Sequence, residues 1–217
     1  MPGQKNQDTG ADVLVIGKNS YLGKTFLAIT DHAVVSEKYF DESAINWAKI
    51  KVVINFTVNP LYMTTPYSPE IDEDLKVIQA AKKHDVHYVM LSSRMVYSPN
   101  SGAQYSEQSA VGRNNVYATN KIITENIAVK NLPNKQTILR LGNIFGFELE
   151  RPTFFGMALT NLRQKKEIVM DCSLSTERDF LLIEVFCQLL DQIITTLPIG
   201  IFNLSSGRAI SVGDIGS

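Results

Sequence analysis

Short runs of β-branched residues alternate along this chain with longer stretches whose apolar positions recur every three or four residues. Residues 11–17 (ADVLVIG) are continuously apolar and closed by glycine, the pattern of a strand buried on both faces. A helix is expected over 22–30, a second strand over 32–36 and a third over 51–57 (KVVINFT), with room at 41–48 for only a short helix. Residues 70–84 read as an amphipathic helix, with Ile71, Leu75, Ile78 and Ala81 on one side. A fourth strand follows at 86–92 (VHYVMLS), then a helix at 115–131 and a fifth strand at 136–141 (QTILRL).

This βαβ succession predicts an α/β fold: a Rossmann-type, doubly wound parallel sheet with helices on both faces. Beyond Gly146 the rhythm changes, with a helix expected at 152–165, a short strand at 167–170 and a helix at 183–196 with apolar residues on several sides. A last strand is expected at 201–204, and Ser211 is placed to cap a further helix. The chain therefore divides into a disordered polar lead-in at 1–10, a dinucleotide-binding domain at 11–146, and a small lobe at 147–217 interleaved with that domain.

Composition changes this picture little. The 217 residues carry a formal charge of −1, so no general basic field draws nucleic acid or an anionic membrane surface. The apolar runs fall short of the roughly 20 residues that a membrane-spanning helix needs. Cys172 and Cys187 have neither metal-type spacing nor a disulfide framework, which is compatible with a reducing cytoplasm. An anion site must then be built locally.

The first strand runs directly into Gly17-Lys18-Asn19-Ser20-Tyr21-Leu22-Gly23 and the first helix. A turn this tight brings backbone amides and a helix N-terminus up to a pyrophosphate. Ser20 stands at the middle position of the glycine spacing, and Lys18 occupies the place where a P-loop needs glycine, which disfavours nucleoside triphosphate chemistry. After the second strand, Glu37 suits an unphosphorylated ribose, whereas Ser36 with Lys38 suits a 2′-phosphate.

Tyr117 and Lys121 stand four residues apart, on one face of a predicted helix. A free phenol has a pKa near 10, and a nearby ammonium favours its ionised form. Ser93, at the end of the fourth strand, can hold a substrate oxygen beside the tyrosine. Glycine turn, strand-end serine and Tyr–Lys helix are specific as an ordered set, not singly.

With these motifs the chain resembles the extended short-chain dehydrogenase/reductase family, the group of nucleotide-sugar epimerases, dehydratases and reductases. The segments carrying the likeness are VLVIGKNSYLG, KVVINFT, YVMLSSRMVY, VYATNK, ILRLGNIFG, RDFLLIEVF and GIFNLSSG. The resemblance implies that Ser93, Tyr117 and Lys121 are the catalytic residues. It implies that NAD or NADP is held by Gly17, Ser20, Tyr21, Leu22, Gly23, Ser36, Phe56, Thr57 and Lys121. Asn143 and Arg178 would touch the diphosphate of a nucleotide-sugar substrate. Arg94 and Met95 stand where the dehydratases carry an Asp–Glu pair, which disfavours dehydration.

The stretch YSEQ…NNVYATNK…TEN resembles the dTDP-4-dehydrorhamnose reductase branch, and RDF is closer to the epimerases. A 4-ketosugar reductase is therefore expected ahead of a 4-epimerase. The substrate lobe is expected to be small and shortened relative to the family, leaving a cofactor-binding regulatory or scaffold protein without turnover as the alternative of another class. A homodimer is what the family implies.

Overall fold

The computed structural model describes residues 12–99, 104–147, 154–166 and 173–215. The expected lead-in at 1–10 and strand at 167–170 lie outside the described residues. The main sheet has six strands in the order β2-β1-β3-β4-β5-β8, all parallel. These are β1 (Val13–Ile16), β2 (Val34–Glu37), β3 (Val52–Asn55), β4 (His87–Ser93), β5 (Gln136–Leu141) and β8 (Gly200–Leu204). A smaller sheet, β6-β7-β9, joins Asn143–Phe145, Glu177–Leu182 and Ala209–Ser211.

Alternation along the strands explains the two cores. Val13 and Val15 of β1 point to one face, with Val52 and Ile54, where Phe26 of helix α1 (Tyr21–Ile29) and Phe186 of helix α5 (Ile183–Thr196) cover them. Leu14, Ile16 and Val53 point to the other face, beneath α2 (Glu73–His84) and α3 (Val116–Asn131). Helices on both faces make the sheet doubly wound, and its central strand β1 is apolar on both sides.

Helix α5 does keep apolar residues on several sides: Ile183, Phe186, Cys187, Leu190 and Ile194 are buried, Leu189 and Ile193 are partly buried, and Val185 is exposed. Several expectations change in detail. The expected helix at 70–84 divides: a 3-10 turn at Pro69–Ile71 precedes Asp72, whose carboxylate caps α2 by accepting from the Leu75 amide at 3.1 Å. Its buried face is Asp74, Val77, Ile78, Ala80 and Ala81, so Leu75 is not a full core residue and a carboxylate is. In place of one short helix at 41–48 stand two 3-10 turns, Glu42–Ala44 and Trp47–Lys49. Helix α4 spans Phe154–Lys165, and Ser211 caps the four-residue α6 (Val212–Ile215), its hydroxyl accepting from the Asp214 amide at 3.1 Å.

Strand β6 lies before Gly146 yet belongs to the small sheet, and β8 lies far beyond it yet completes the main one beside β5. The buried Cys187 thiol is pushed up to about 12 by desolvation and then by Glu184, so it is a core residue and not a nucleophile. No helix among the described residues is long and apolar enough to cross a membrane.

Candidate active site

Strand order reverses at β1, whose neighbours are β2 on one side and β3 on the other. Loops leaving adjacent strands in opposite directions open a crevice at their carboxyl ends, where ligands bind in open α/β sheets. The glycine turn leaves β1 there, and Phe56 and Thr57 leave β3.

Gly17 adopts φ +86°, and a Cβ on it would meet the Thr57 side chain at 2.9 Å and the Phe56 carbonyl carbon at 3.0 Å. A Cβ on Gly23 would run into the Gly17 carbonyl and lie 2.9 Å from the Ser20 hydroxyl. The turn therefore folds onto α1 as closely as a pyrophosphate cradle requires. Ser20 is the N-cap of α1, accepting from the Gly23 amide at 3.0 Å, which accounts for a serine at the middle position. The Gly17 and Lys18 amides both donate to the Glu37 carbonyl, at 2.8 and 3.0 Å, so they anchor the turn to β2. Tyr21 and Leu22 pack against the core; any contact with a phosphate falls to their backbone at the positive end of α1.

Ser36 serves through its carbonyl, which accepts from the Lys18 ammonium at 3.0 Å, while Glu37 lies 4.0 Å from the same ammonium. Lys38 sits over the Tyr39 ring. Phe56 is buried against Phe26, and Thr57 donates from its amide and hydroxyl to the Asn55 side-chain oxygen, at 2.9 and 2.6 Å.

Asn55 leads inward to the charged centre. Its amide donates to Asp74 at 2.6 Å, and Tyr88 donates to the same carboxylate oxygen at 2.6 Å. The other Asp74 oxygen accepts from the Lys121 ammonium at 2.9 Å, and the Leu91 carbonyl accepts from that ammonium at 2.9 Å. Burial alone would lower the Lys121 pKa, but Asp74, with smaller contributions from Tyr117 and Tyr62, holds it above the ordinary lysine value. Two of three ammonium hydrogens are thus committed. The Tyr62 ring lies 5.4 Å from the nitrogen.

Tyr117 stands one turn earlier on α3, half-buried, its ring edge-on to Tyr62 at 6.3 Å. Among the described residues its hydroxyl has no hydrogen-bond partner, and no direct bond joins it to Lys121; the two meet electrostatically. Asn115 caps α3 by accepting from the Ala118 amide at 2.8 Å, which fixes the tyrosine's place at the helix start. The Ser93 hydroxyl accepts from the Met95 amide at 3.2 Å, capping a 3-10 turn at Arg94–Val96 and keeping its own proton to donate.

A second group lies beyond Ser93. Asn143 accepts from Arg94 Nε and Nη2 at 3.3 and 3.1 Å and donates to the Asp179 carbonyl at 2.7 Å. Partial desolvation and then the like charge of Arg178 hold Arg94 below the ordinary arginine value, against the opposing influence of Tyr105 and Asp179. Asn143 is thus bonded to Arg94, and the charge of Arg178 acts on the same guanidinium. Sequence reasoning used Arg94 only to disfavour dehydration, and it missed Asp74. For Asp74 a signal existed: it stands at helical spacing from Val77, Ile78 and Ala81, on the apolar side.

The switch-point crevice and its close-packed glycine turn define a dinucleotide-binding α/β protein. Residues 48–205 match the NAD dependent epimerase/dehydratase family, and the chain belongs to that family. The match begins after the glycine turn, so that turn is assigned by its geometry. No curated protein matches the sequence. Among solved structures, the UDP-N-acetylglucosamine 4-epimerase of Methanobrevibacter ruminantium M1, in complex with UDP-N-acetylmuramic acid, is similar with TM-score 0.79 and 16% identity, over 94% of this chain and 79% of that one. A dTDP-4-dehydrorhamnose reductase from Yersinia enterocolitica is similar with TM-score 0.75 and 18% identity, over 94% and 78%. A dTDP-glucose 4,6-dehydratase from Bacillus anthracis str. Ames, in complex with NAD, gives 0.78 and 16%, over 94% and 78%. At such identities the likeness is one of fold.

Proposed function

We propose that this protein is an NAD-dependent oxidoreductase of a nucleotide-linked sugar, working as a 4-ketosugar reductase. The observation that carries the reading is the buried Lys121 ammonium, one turn after Tyr117 on α3, bonded to the Leu91 carbonyl of the strand that ends at Ser93 and to Asp74, which Asn55 links to Thr57 beside the glycine turn. That cofactor would supply hydride chemistry at its nicotinamide. The Glu37 carboxylate at the end of β2 supports NAD over NADP.

Tyr117 is the proton donor to the carbonyl oxygen as the carbon gains hydride; its unengaged hydroxyl supports that role. Ser93 donates its remaining proton to the same oxygen and orients it. Lys121 sets the charge beside the phenol and offers its third hydrogen to the ribose, while Asp74 fixes where that ammonium sits. Arg178 and Asn143 hold the diphosphate. Arg94, at the place where an acid would drive water elimination, supports reduction over dehydration.

The test is NADH consumption with a 4-keto nucleotide sugar. Steady oxidation that stops in Tyr117→Phe supports the reductase. Interconversion of two sugar epimers without net cofactor turnover would replace it with a 4-epimerase. Cofactor binding without any turnover would leave a regulatory protein.

A further inference from the structure

The segment that leaves β3 toward the crevice carries a buried aromatic that the mechanism above does not use. After Thr57 the chain forms a 3-10 turn, Pro60–Met63, capped by Asn59, whose side-chain oxygen accepts from the Leu61 amide at 3.0 Å. Leu61 and Met63 are exposed, whereas Tyr62 between them is only 2% exposed. A side chain turned inward from so open a segment needs something to hold it. Asn120, buried on α3, donates to the Tyr62 carbonyl at 2.8 Å and to the Thr65 carbonyl at 2.9 Å. It ties the turn to the helix one residue before Lys121.

The phenol is fixed as firmly as the backbone. The hydroxyls of Tyr62 and Thr124 lie 2.7 Å apart, and a threonine hydroxyl has one proton to give. Thr124 has two acceptors for it, the Asp72 carboxylate at 2.7 Å and the Asn120 carbonyl at 3.1 Å. Toward Tyr62 it therefore accepts, and Tyr62 donates. Burial, against the opposing influence of Lys121, holds the Tyr62 phenol above its ordinary value, so it stays neutral. Two phenols thus flank one ammonium with different parts to play: the proton of Tyr62 is engaged in the core, and that of Tyr117 is not. The Tyr62 ring centroid lies 5.4 Å from Lys121 Nζ, within cation–π reach. The same ring meets Tyr117 at 6.3 Å and 79°, the favoured edge-to-face arrangement. One pinned ring packs against both members of a pair that share no direct bond among the described residues.

We propose that Tyr62 is a positioning residue whose ring sets where the Tyr117 phenol stands relative to the Lys121 ammonium. The proposal rests on the reductase reading above, in which Tyr117 gives the proton. It is tested in wild type, Tyr62→Phe, which keeps the ring, Tyr62→Met, which keeps the bulk without it, and Asn120→Ala, which releases the turn. NADH oxidation with a 4-keto nucleotide sugar is measured per folded molecule. Tyr62→Met should lower kcat about 10²-fold, the cost of a small misplacement at the reacting centre, while KM for NADH stays close to wild type. Tyr62→Phe should keep most of the rate, and Asn120→Ala should fall between the two. Should Tyr62→Met not fold, Asn120→Ala carries the same test. Three-bond NMR couplings that report χ1 of Tyr117 give a readout independent of turnover: one rotamer in wild type and Tyr62→Phe, averaging in Tyr62→Met and Asn120→Ala. A single unchanged rotamer in those two variants would overturn the proposal. So would an equal loss of kcat in Tyr62→Phe and Tyr62→Met, because that assigns the effect to the hydroxyl and Thr124. If wild type oxidises no NADH, the reductase reading fails by itself, and the couplings still decide whether Tyr62 fixes Tyr117.

Discussion

Helix α3 buries two ion pairs one turn apart, and they are built to different ends. Lys121 meets Asp74 through a single contact at 2.9 Å, with the ammonium also bonded to the Leu91 carbonyl. Glu125 holds Arg140 through two parallel bonds at 3.1 and 2.7 Å, takes a third from the Ser92 hydroxyl, and lies under an arginine stacked on Tyr97. The second pair is closed on every side except Arg140 Nη1, which is buried without a hydrogen-bond partner among the described residues. The first keeps one hydrogen of its cation uncommitted beside Tyr117. Burying a charge pair costs several kcal/mol per ion before attraction offsets it. At Glu125 the return is a clamp between helix and sheet. At Lys121 it is a cation held still at the rim of a crevice.

The comparison breaks most sharply at Tyr117. Tyr117→Phe should lower turnover about 10²–10⁴-fold while the melting temperature and NAD affinity stay close to wild type, as read by steady-state kinetics and thermal denaturation. Next come the acids of the two pairs. Asp74→Ala and Glu125→Ala each strand a buried cation and should cost about 3–5 kcal/mol in denaturant unfolding. Only Asp74→Ala should also reduce turnover per folded molecule. A matching kinetic defect in Glu125→Ala would erase the distinction between the pairs.

At the far wall of the crevice, Gly17→Ala forces φ +86° on an L-residue and should cost about 1–3 kcal/mol, with a loss of NAD affinity measurable by titration. The smallest effect falls on a buried group kept neutral. His87 shares a hydrogen bond with Thr137 at 2.8 Å, and burial, followed by Lys135, pulls its pKa down to about 4. The unfolded chain takes up that proton near 6.5. His87 therefore contributes stability that is complete above about pH 6.5 and is lost as pH falls toward 4. His87→Gln should flatten that part of the stability profile.

Strand β1 was legible in the sequence because both its faces are apolar, and a continuous β-branched run admits few other structures. Strands β6, β7 and β9 were not. Their residues are half-buried in a small sheet, so Glu177–Leu182 opens on three charged residues and carries no clean period. Asp74 was hidden for a related reason: an acid on an apolar helix face is read as an interruption until the partner 47 residues later is seen beside it. The candidate set of Ser93, Tyr117 and Lys121 was read from an ordered series of motifs. What joins it, the line from Thr57 through Asn55 and Asp74 to Lys121, depends on three elements meeting at one strand end, which spacing along one chain does not encode.

The arrival of β8 beside β5 has a consequence for how the chain matures. About 60 residues separate the two strands, so β5 leaves the ribosome with its outer edge unpaired. At about 5–20 residues per second, that edge waits for seconds until Gly200–Leu204 emerges. During that interval the Leu139 side and its neighbours form a template on which another nascent copy could add a strand. The pairing of Gly200–Leu204 with β5 is thus also the step that closes this edge against strand addition.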